Sequence, residues 1–208
     1  MRTRVKFCGI SRPEDAVVAA RLGADAIGLV FYRDSPRYVS INQAVAITRA
    51  LPPFVTVVGL FVDATEQEIS TVLDGVRIDV LQFHGDEAPD ACRRYALPYI
   101  KAIRVRSDMD IEPLAAAYAD ASGLLLDAYQ QGVPGGTGKT FDWSMVPRKL
   151  HRPVILAGGL TAANVAQAIA TVGPYAVDVS GGVESAPGIK DTDRMSAFMK
   201  SVNSVKTD

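Results

Sequence analysis

Apolar residues along this chain switch repeatedly between two spacings. Short runs rich in Val, Ile, Leu and Phe predict strands at 5–8, 26–31, 55–62, 79–83, 99–105, 123–127, 153–157 and 176–179. Between them, amphipathic stretches predict helices at 13–22, 42–51, 66–73, 87–95, 111–119, 142–149 and 162–172, with a last one at 191–202. A strand then a helix, repeated at intervals of about 20–30 residues, is the signature of a parallel sheet with crossover helices. Eight such units fit a closed (β/α)8 TIM barrel best, as a single domain over 1–208. A doubly wound open sheet is the competitor. It predicts a dinucleotide fingerprint after the first strand, and Cys8-Gly9-Ile10-Ser11-Arg12-Pro13 is not one.

Punctuation agrees with these elements. Ser11-Arg12-Pro13-Glu14 reads as a capping box with proline in the first turn, and Thr65-Glu66-Gln67-Glu68 repeats the box without the proline. Gly23 follows Leu22 where a left-handed residue would stop a helix. The glycine-rich stretch 131–139 reads as a mobile loop, and no Pro-, Gly- and Ser-rich linker separates two large halves.

The first strand is the most telling. Alternate residues share a face, so Val5 and Phe7 point one way while Lys6 and Cys8 point the other. The apolar face calls for a helix. The face with an ammonium and a thiol calls for a site, because an unpaired buried charge is costly.

Composition narrows the partners. With 208 residues, 48% of them hydrophobic, and a formal net charge of −1, the chain can bury a sizeable core but offers no basic surface for nucleic acid. The densest basic stretch, 148–152, precedes an apolar strand and reads as a solvated loop. No apolar run approaches the roughly 20 residues of a membrane helix. The opening Met1-Arg2-Thr3-Arg4 flows into a strand, so a cleaved signal is not expected. Cys8 and Cys92 suit neither a disulfide framework nor a metal cluster; Cys92 reads as a small buried thiol in a helix, and free thiols point to the cytoplasm.

In a barrel, chemistry gathers at the C-terminal ends of the strands. Two glycine pairs stand there, in Ala157-Gly158-Gly159-Leu160 and Ser180-Gly181-Gly182-Val183. Backbone N–H groups at such turns approach anions closely, so a phosphorylated small molecule is the expected ligand. Asp127 follows three leucines at the mouth of strand six, where partial desolvation would let it hold a proton; a helix cap or loop carboxylate is the other reading. A thiol such as Cys8 is usually a small core hydrophobe. A charged Lys6 on the same face would favour its thiolate, and from a reference pKa of about 8.5 only a modest fall would make it a base. Arg37, behind Pro36 in the loop after strand two, either forks onto a carboxylate or is solvated. His84 alternates with Gln82 and either reaches the barrel mouth or serves structural hydrogen bonding.

These motifs, in this order along nearly the whole chain, resemble the phosphoribosylanthranilate isomerase family of tryptophan biosynthesis. They are Lys6-Phe7-Cys8-Gly9-Ile10, Ser35-Pro36-Arg37, Leu81-Gln82-Phe83-His84-Gly85, Leu124-Leu125-Leu126-Asp127, Gly135-Gly136-Thr137-Gly138, Leu156-Ala157-Gly158-Gly159-Leu160 and Asp178-Val179-Ser180. The resemblance implies an Amadori rearrangement of N-(5-phosphoribosyl)anthranilate to 1-(2-carboxyphenylamino)-1-deoxyribulose 5-phosphate, without metal or organic cofactor. It implies Cys8 as general base, Asp127 as general acid and Arg37 as the grip on the anthranilate carboxylate. Gly136, Gly158, Gly159, Ser180 and Gly181 would hold the phosphate, with Asp178 near the anthranilate amine. It is compatible with a monomer or a homodimer.

One position departs from the family's usual Asp-Val-Ser-Ser-Gly-Val-Glu, because Gly181 stands where a second serine is common. Losing that hydroxyl would remove a hydrogen bond worth about 1.5–3 kcal/mol to a charged group, if it was made. Indoleglycerol phosphate synthase is the nearest rival, but it carries an extension before strand one. Dual-substrate isomerases of histidine biosynthesis carry aspartate where Cys8 stands. A catalytically idle phosphate-binding barrel would keep the glycine turns without needing Cys8 and Asp127 together.

Overall fold

The strands predicted from periodicity close on themselves in the computed structural model, which describes residues 2–106, 109–128, 140–147 and 150–205. Strands β1 (Arg4–Cys8), β2 (Ala26–Val30), β3 (Thr56–Phe61), β4 (Val80–Phe83), β5 (Tyr99–Val105), β6 (Gly123–Ala128), β7 (Val154–Leu156) and β8 (Ala176–Val179) pair in parallel in that order. The barrel closes where β1 meets β8, with Lys6 opposite Asp178. Helices α1 (Pro13–Arg21), α2 (Ile41–Ala50), α3 (Glu66–Gly75), α4 (Pro89–Cys92), α5 (Ile111–Ala117), α6 (Val165–Val172) and α7 (Thr192–Asn203) cover the outside.

The two faces of β1 behave as their chemistry demands. Val5 and Phe7 are buried outward, and the Phe7 ring meets Phe198 of α7 at 6.2 Å. Burying one such side chain contributes about 1.5–3 kcal/mol. Inward, Ile100, Leu125, Ile155 and Ala176 form an apolar plug, and Cys8, Val30 and Leu60 form a second cluster. Lys6 and Cys8 fit because β2 contributes a glycine beside them. A Cβ on Gly28 would stand 2.9 Å from the Cys8 Sγ and 3.2 Å from the Lys6 Cε.

Helix starts correct the sequence in places. The Thr65 box forms as expected, and Ser40 with Gln43 makes another. The Ser11 box does not form. Ser11 instead donates its hydroxyl to the Gly188 carbonyl, and α1 starts after Arg12 without a side-chain cap. Gly23 takes φ +89°, as a stop at α1 requires. Helix α4 starts at Pro89 rather than 87 because Ala88 precedes a proline and is held extended, and it ends at Cys92, short of 95. In 142–149 only a 3-10 turn, Trp143–Met145, forms among the described residues, since Val146 before Pro147 is likewise extended. Helix α6 starts later than 162 because Asn164 ties its side chain to the Thr161 amide and the Gly159 carbonyl.

An antiparallel hairpin, β9 (Glu184–Ala186) and β10 (Ile189–Lys190), follows β8 and was not predicted. The predicted loop 131–139 lies outside the described residues. Cys92 is buried in α4, where burial pushes its thiol up to about 11. Among the described residues, no helix is long and apolar enough to cross a membrane.

Candidate active site

A cavity of about 430 Å³ opens at the C-terminal ends of the strands. Cys8, Arg37, Asp127, Gly158, Gly159, Asp178, Ser180 and Gly181 all line it. Gly136 lies outside the described residues. Every other candidate from the sequence, though drawn from five separate segments, therefore faces one space.

Cys8 ends β1 with its thiol inward. Burial pushes its pKa up; Lys6 and Lys190 pull it down without overcoming that burial, and Asp178 adds to the rise. Lys6 does favour the thiolate, as its place on the same face predicts, but burial outweighs it, so the expected net fall is not met. Lys6 also pairs with Asp178, 2.8 Å away. Desolvation also acts against the Lys6 charge, but Asp178 and Cys8 outweigh it and hold the ammonium above its usual range.

Asp127 ends β6, with its Oδ2 3.1 Å from the Nε2 of His84. His84 Nδ1 lies 2.9 Å from the Nε2 of Gln82. All three side chains are buried, and His84 also lines the cavity. The two readings of His84 are thus both met: it reaches the mouth, and it is hydrogen-bonded there.

Arg37 does fork onto a carboxylate, but an internal one. Its Nε and Nη2 donate to Glu184 at 2.8 and 2.7 Å. Gly9, at φ +70°, makes room; a Cβ there would stand 2.4 Å from the Arg37 Cδ. Glu184 also accepts from Lys190 at 2.8 Å, and Lys190 reaches the Ser180 carbonyl at 3.2 Å. Burial works against the Glu184 carboxylate, but the hydrogen bond from Arg37 and the charge of Lys190 prevail and hold its pKa down. Replacing Glu184 with Gln would strand two cations on one neutral amide. Breaking a buried ionic pair costs about 3–5 kcal/mol, so E184Q should unfold at markedly lower denaturant, as circular dichroism would read.

The glycine turns form the remaining wall. Gly158 and Gly159 take φ +85° and +62°, which side chains rarely adopt. A Cβ on Gly158 would stand 2.5 Å from the Ala128 amide nitrogen, and one on Gly182 only 1.9 Å from the Leu160 carbonyl. The turns after β7 and β8 therefore press together with bare backbone. That close approach suits an anion held by amides.

Glu184 and Lys190 were not singled out from the sequence. Glu184 stands inside the quoted motif, but nothing marked it as the arginine's counter-ion. Lys190 carries no local signal; the hairpin brings it in, and only Pro187-Gly188 hinted at that turn.

A closed parallel barrel that opens a thiol, a carboxyl and two bare glycine turns into one mouth cavity belongs to the (β/α)8 enzymes with an acid–base site. Comparison with known families narrows this. The model of the N-(5'phosphoribosyl)anthranilate (PRA) isomerase family matches residues 5–201, and the chain belongs to that family. It is 62% identical over 205 residues to the N-(5'-phosphoribosyl)anthranilate isomerase of Nitrosococcus oceani, covering 99% of this chain and 100% of that one. It is also 62% identical over 200 residues to the enzyme of that name from Pseudomonas savastanoi, covering 96% and 97%. Among solved structures, phosphoribosyl anthranilate isomerase from Thermotoga maritima superposes with a TM-score of 0.90 at 42% identity, covering 98% of this chain and 100% of that one. A phosphoribosyl anthranilate isomerase in complex with reduced 1-(o-carboxyphenylamino)-1-deoxyribulose 5-phosphate gives 0.87 at 40%, with the same coverage.

Proposed function

We propose that this chain is an aldose–ketose isomerase of tryptophan biosynthesis that converts N-(5'-phosphoribosyl)anthranilate into 1-(2-carboxyphenylamino)-1-deoxyribulose 5-phosphate. The observation that carries the reading is the convergence of Cys8 and Asp127 on one cavity walled by the glycine turns. The related enzyme that holds a reduced form of the named product adds support.

The chemistry follows from the groups present. Protonated Asp127 gives its proton to the ribose ring oxygen, the C1–O bond breaks, and an iminium forms at C1. The iminium acidifies C2–H, and the Cys8 thiolate removes that proton to leave an enolamine. C1 then gains a proton as the C2 hydroxyl loses one, giving the ketone. Each proton-transfer group typically contributes on the order of 10²–10⁴-fold. Anchoring both ends of the substrate holds the reacting atoms between acid and base. Amides of Gly158, Gly159 and Gly181, with Ser180 and Gly136, take the phosphate. Arg37 takes the anthranilate carboxylate, exchanging Glu184 for it, and Lys190 remains to neutralise Glu184. Asp178, held by Lys6, lies near the anthranilate amine.

The reaction calls for no metal or organic cofactor, and the chain acts in the cytoplasm as one domain, without nucleic acid or membrane. It works as a monomer or a homodimer. A Thermotoga maritima neighbour (TM-score 0.86, 37% identical) is a monomer generated from a dimeric phosphoribosylanthranilate isomerase, and the 99% exposed Phe54 of this chain offers a surface that a second copy would cover.

An anthranilate-fluorescence assay with freshly made phosphoribosylanthranilate tests the proposal. Conversion by the purified protein supports it, and none at any pH between neutral and alkaline contradicts it. The same assay reads the base. A thiol whose pKa lies above its ordinary value is mostly protonated at neutrality. The thiolate fraction should then rise about tenfold per pH unit, driving the acid limb of kcat/KM, and the need for a protonated acid should turn the profile over into a bell.

A further inference from the structure

The Gln82 side chain has an unusual place for an amide. It is 0% exposed inside the barrel, and its Oε1 has no hydrogen-bond partner among the described residues. A buried orphan acceptor is costly, so the other end of the amide must do something the fold needs. That end, the NH2, sits 2.9 Å from Nδ1 of His84. An amide nitrogen only donates, so Nδ1 must accept and carry no proton. The single N–H of neutral His84 then resides on Nε2, 3.1 Å from Oδ2 of Asp127, and points at it.

We propose that Gln82 and His84 are positioning residues for Asp127: the amide fixes the imidazole tautomer, and the Nε2–H pins Oδ2 so that Oδ1 faces the substrate. The contacts around Asp127 agree. Oδ1 lies on the side of Gly158, where a Cβ would stand 2.9 Å from it, and Gly158 lines the cavity. The backbone of His84 is held as well, its carbonyl accepting from Arg104 at 2.9 Å. A carboxyl group free to rotate would present its proton in many directions. One held at Oδ2 presents it in one, and that orientation is where proximity effects arise. The relay runs from the floor of the barrel to its mouth on alternate residues of one strand and its exit, Gln82 and His84, which share a face by strand geometry.

The proposal deepens the isomerase reading and rests on it for its kinetic part, but not for its spectroscopic part. The chain has two histidines, and His151 is exposed while His84 is buried. Nitrogen-15 NMR of the ligand-free protein, labelled on the imidazoles, therefore reads the His84 tautomer whatever the substrate is. The expected result is a neutral ring with its proton on Nε2. A proton on Nδ1 would overturn the proposal, because it requires the amide reversed and Asp127 as donor to Nε2.

Kinetics supply the second arm, each variant compared with its parent. H84F should lower kcat on the order of 10–100-fold, as loss of a hydrogen bond to the charge developing on Asp127 does, with KM near the parent's. H84Q should recover most of that loss, because its amide nitrogen can stand where Nε2 stood. Q82E keeps the shape, and its carboxylate accepts where the amide donated, so it should move a proton onto Nδ1 in the spectrum and lower kcat. Parent-like kcat in H84F, or a parent-like spectrum and kcat in Q82E, would overturn the proposal. Absence of any isomerase activity in the parent would instead remove the reaction and leave the tautomer result standing.

Discussion

C8A should fold, bind product nearly as the parent does, and lose about 10²–10⁴-fold in kcat, the usual contribution of a positioned base. The thiol is buried against Val30 and Leu60, and alanine keeps most of that packing. What it removes is the only group on the inward face of β1 that can take a proton from C2, because Lys6 is already an ammonium paired with Asp178. C8S makes the distinction sharper. Its hydroxyl nearly fills the same space but is a far weaker acid than a thiol, so packing is preserved while the base is lost. Steady-state kinetics with a parallel titration of a product analogue separates the two effects. Parent-like turnover in either variant would end the case for Cys8 as the base.

D127N should be equally damaging for the complementary reason. An amide keeps the size of the carboxyl and can still meet His84 at Nε2, but it has no acidic proton for the ring oxygen. Ring opening should slow by about 10²–10⁴-fold, again with product affinity close to the parent's. The melting temperature should change little, since the neutral amide replaces a carboxyl whose structural partner is an imidazole rather than a fixed charge. A large loss of affinity in D127N would mean that the residue binds rather than reacts.

Much of the fold was legible because strand periodicity is local. β5 and β8 fall where the apolar runs place them, and the other strands differ by a residue or so at their ends. The errors have local causes too. Prolines 89 and 147 each hold the preceding residue extended, trimming helices that amphipathicity alone extends. Ser11 was read as a cap because its spacing to Glu14 is right, but tertiary structure offered its hydroxyl the Gly188 carbonyl instead.

The site was legible in its membership and not in its pairing. Strand ends and glycine pairs identify residues that face the cavity, since barrel geometry sends them there. Which charge meets which depends on long-range closure. Lys6 and Asp178 are 172 residues apart in sequence, and Arg37 and Glu184 are 147 apart. The thiol's raised pKa could not be foreseen from Lys6 alone, because burial in the closed barrel outweighs the pull of that ammonium.

A crystal structure of the parent enzyme with the reduced product, 1-(2-carboxyphenylamino)-1-deoxyribitol 5-phosphate, would be the sharpest check. The sulfur of Cys8 should lie about 3–3.5 Å from C2, with Asp127 Oδ1 in hydrogen-bond reach of the oxygen that was in the ring. The phosphate should rest on the Gly158–Gly159 and Ser180–Gly181 amides, and Arg37 should have left Glu184 for the carboxylate. A ligand seated with its C2 away from Cys8, or its sugar oxygen away from Asp127, would contradict the account.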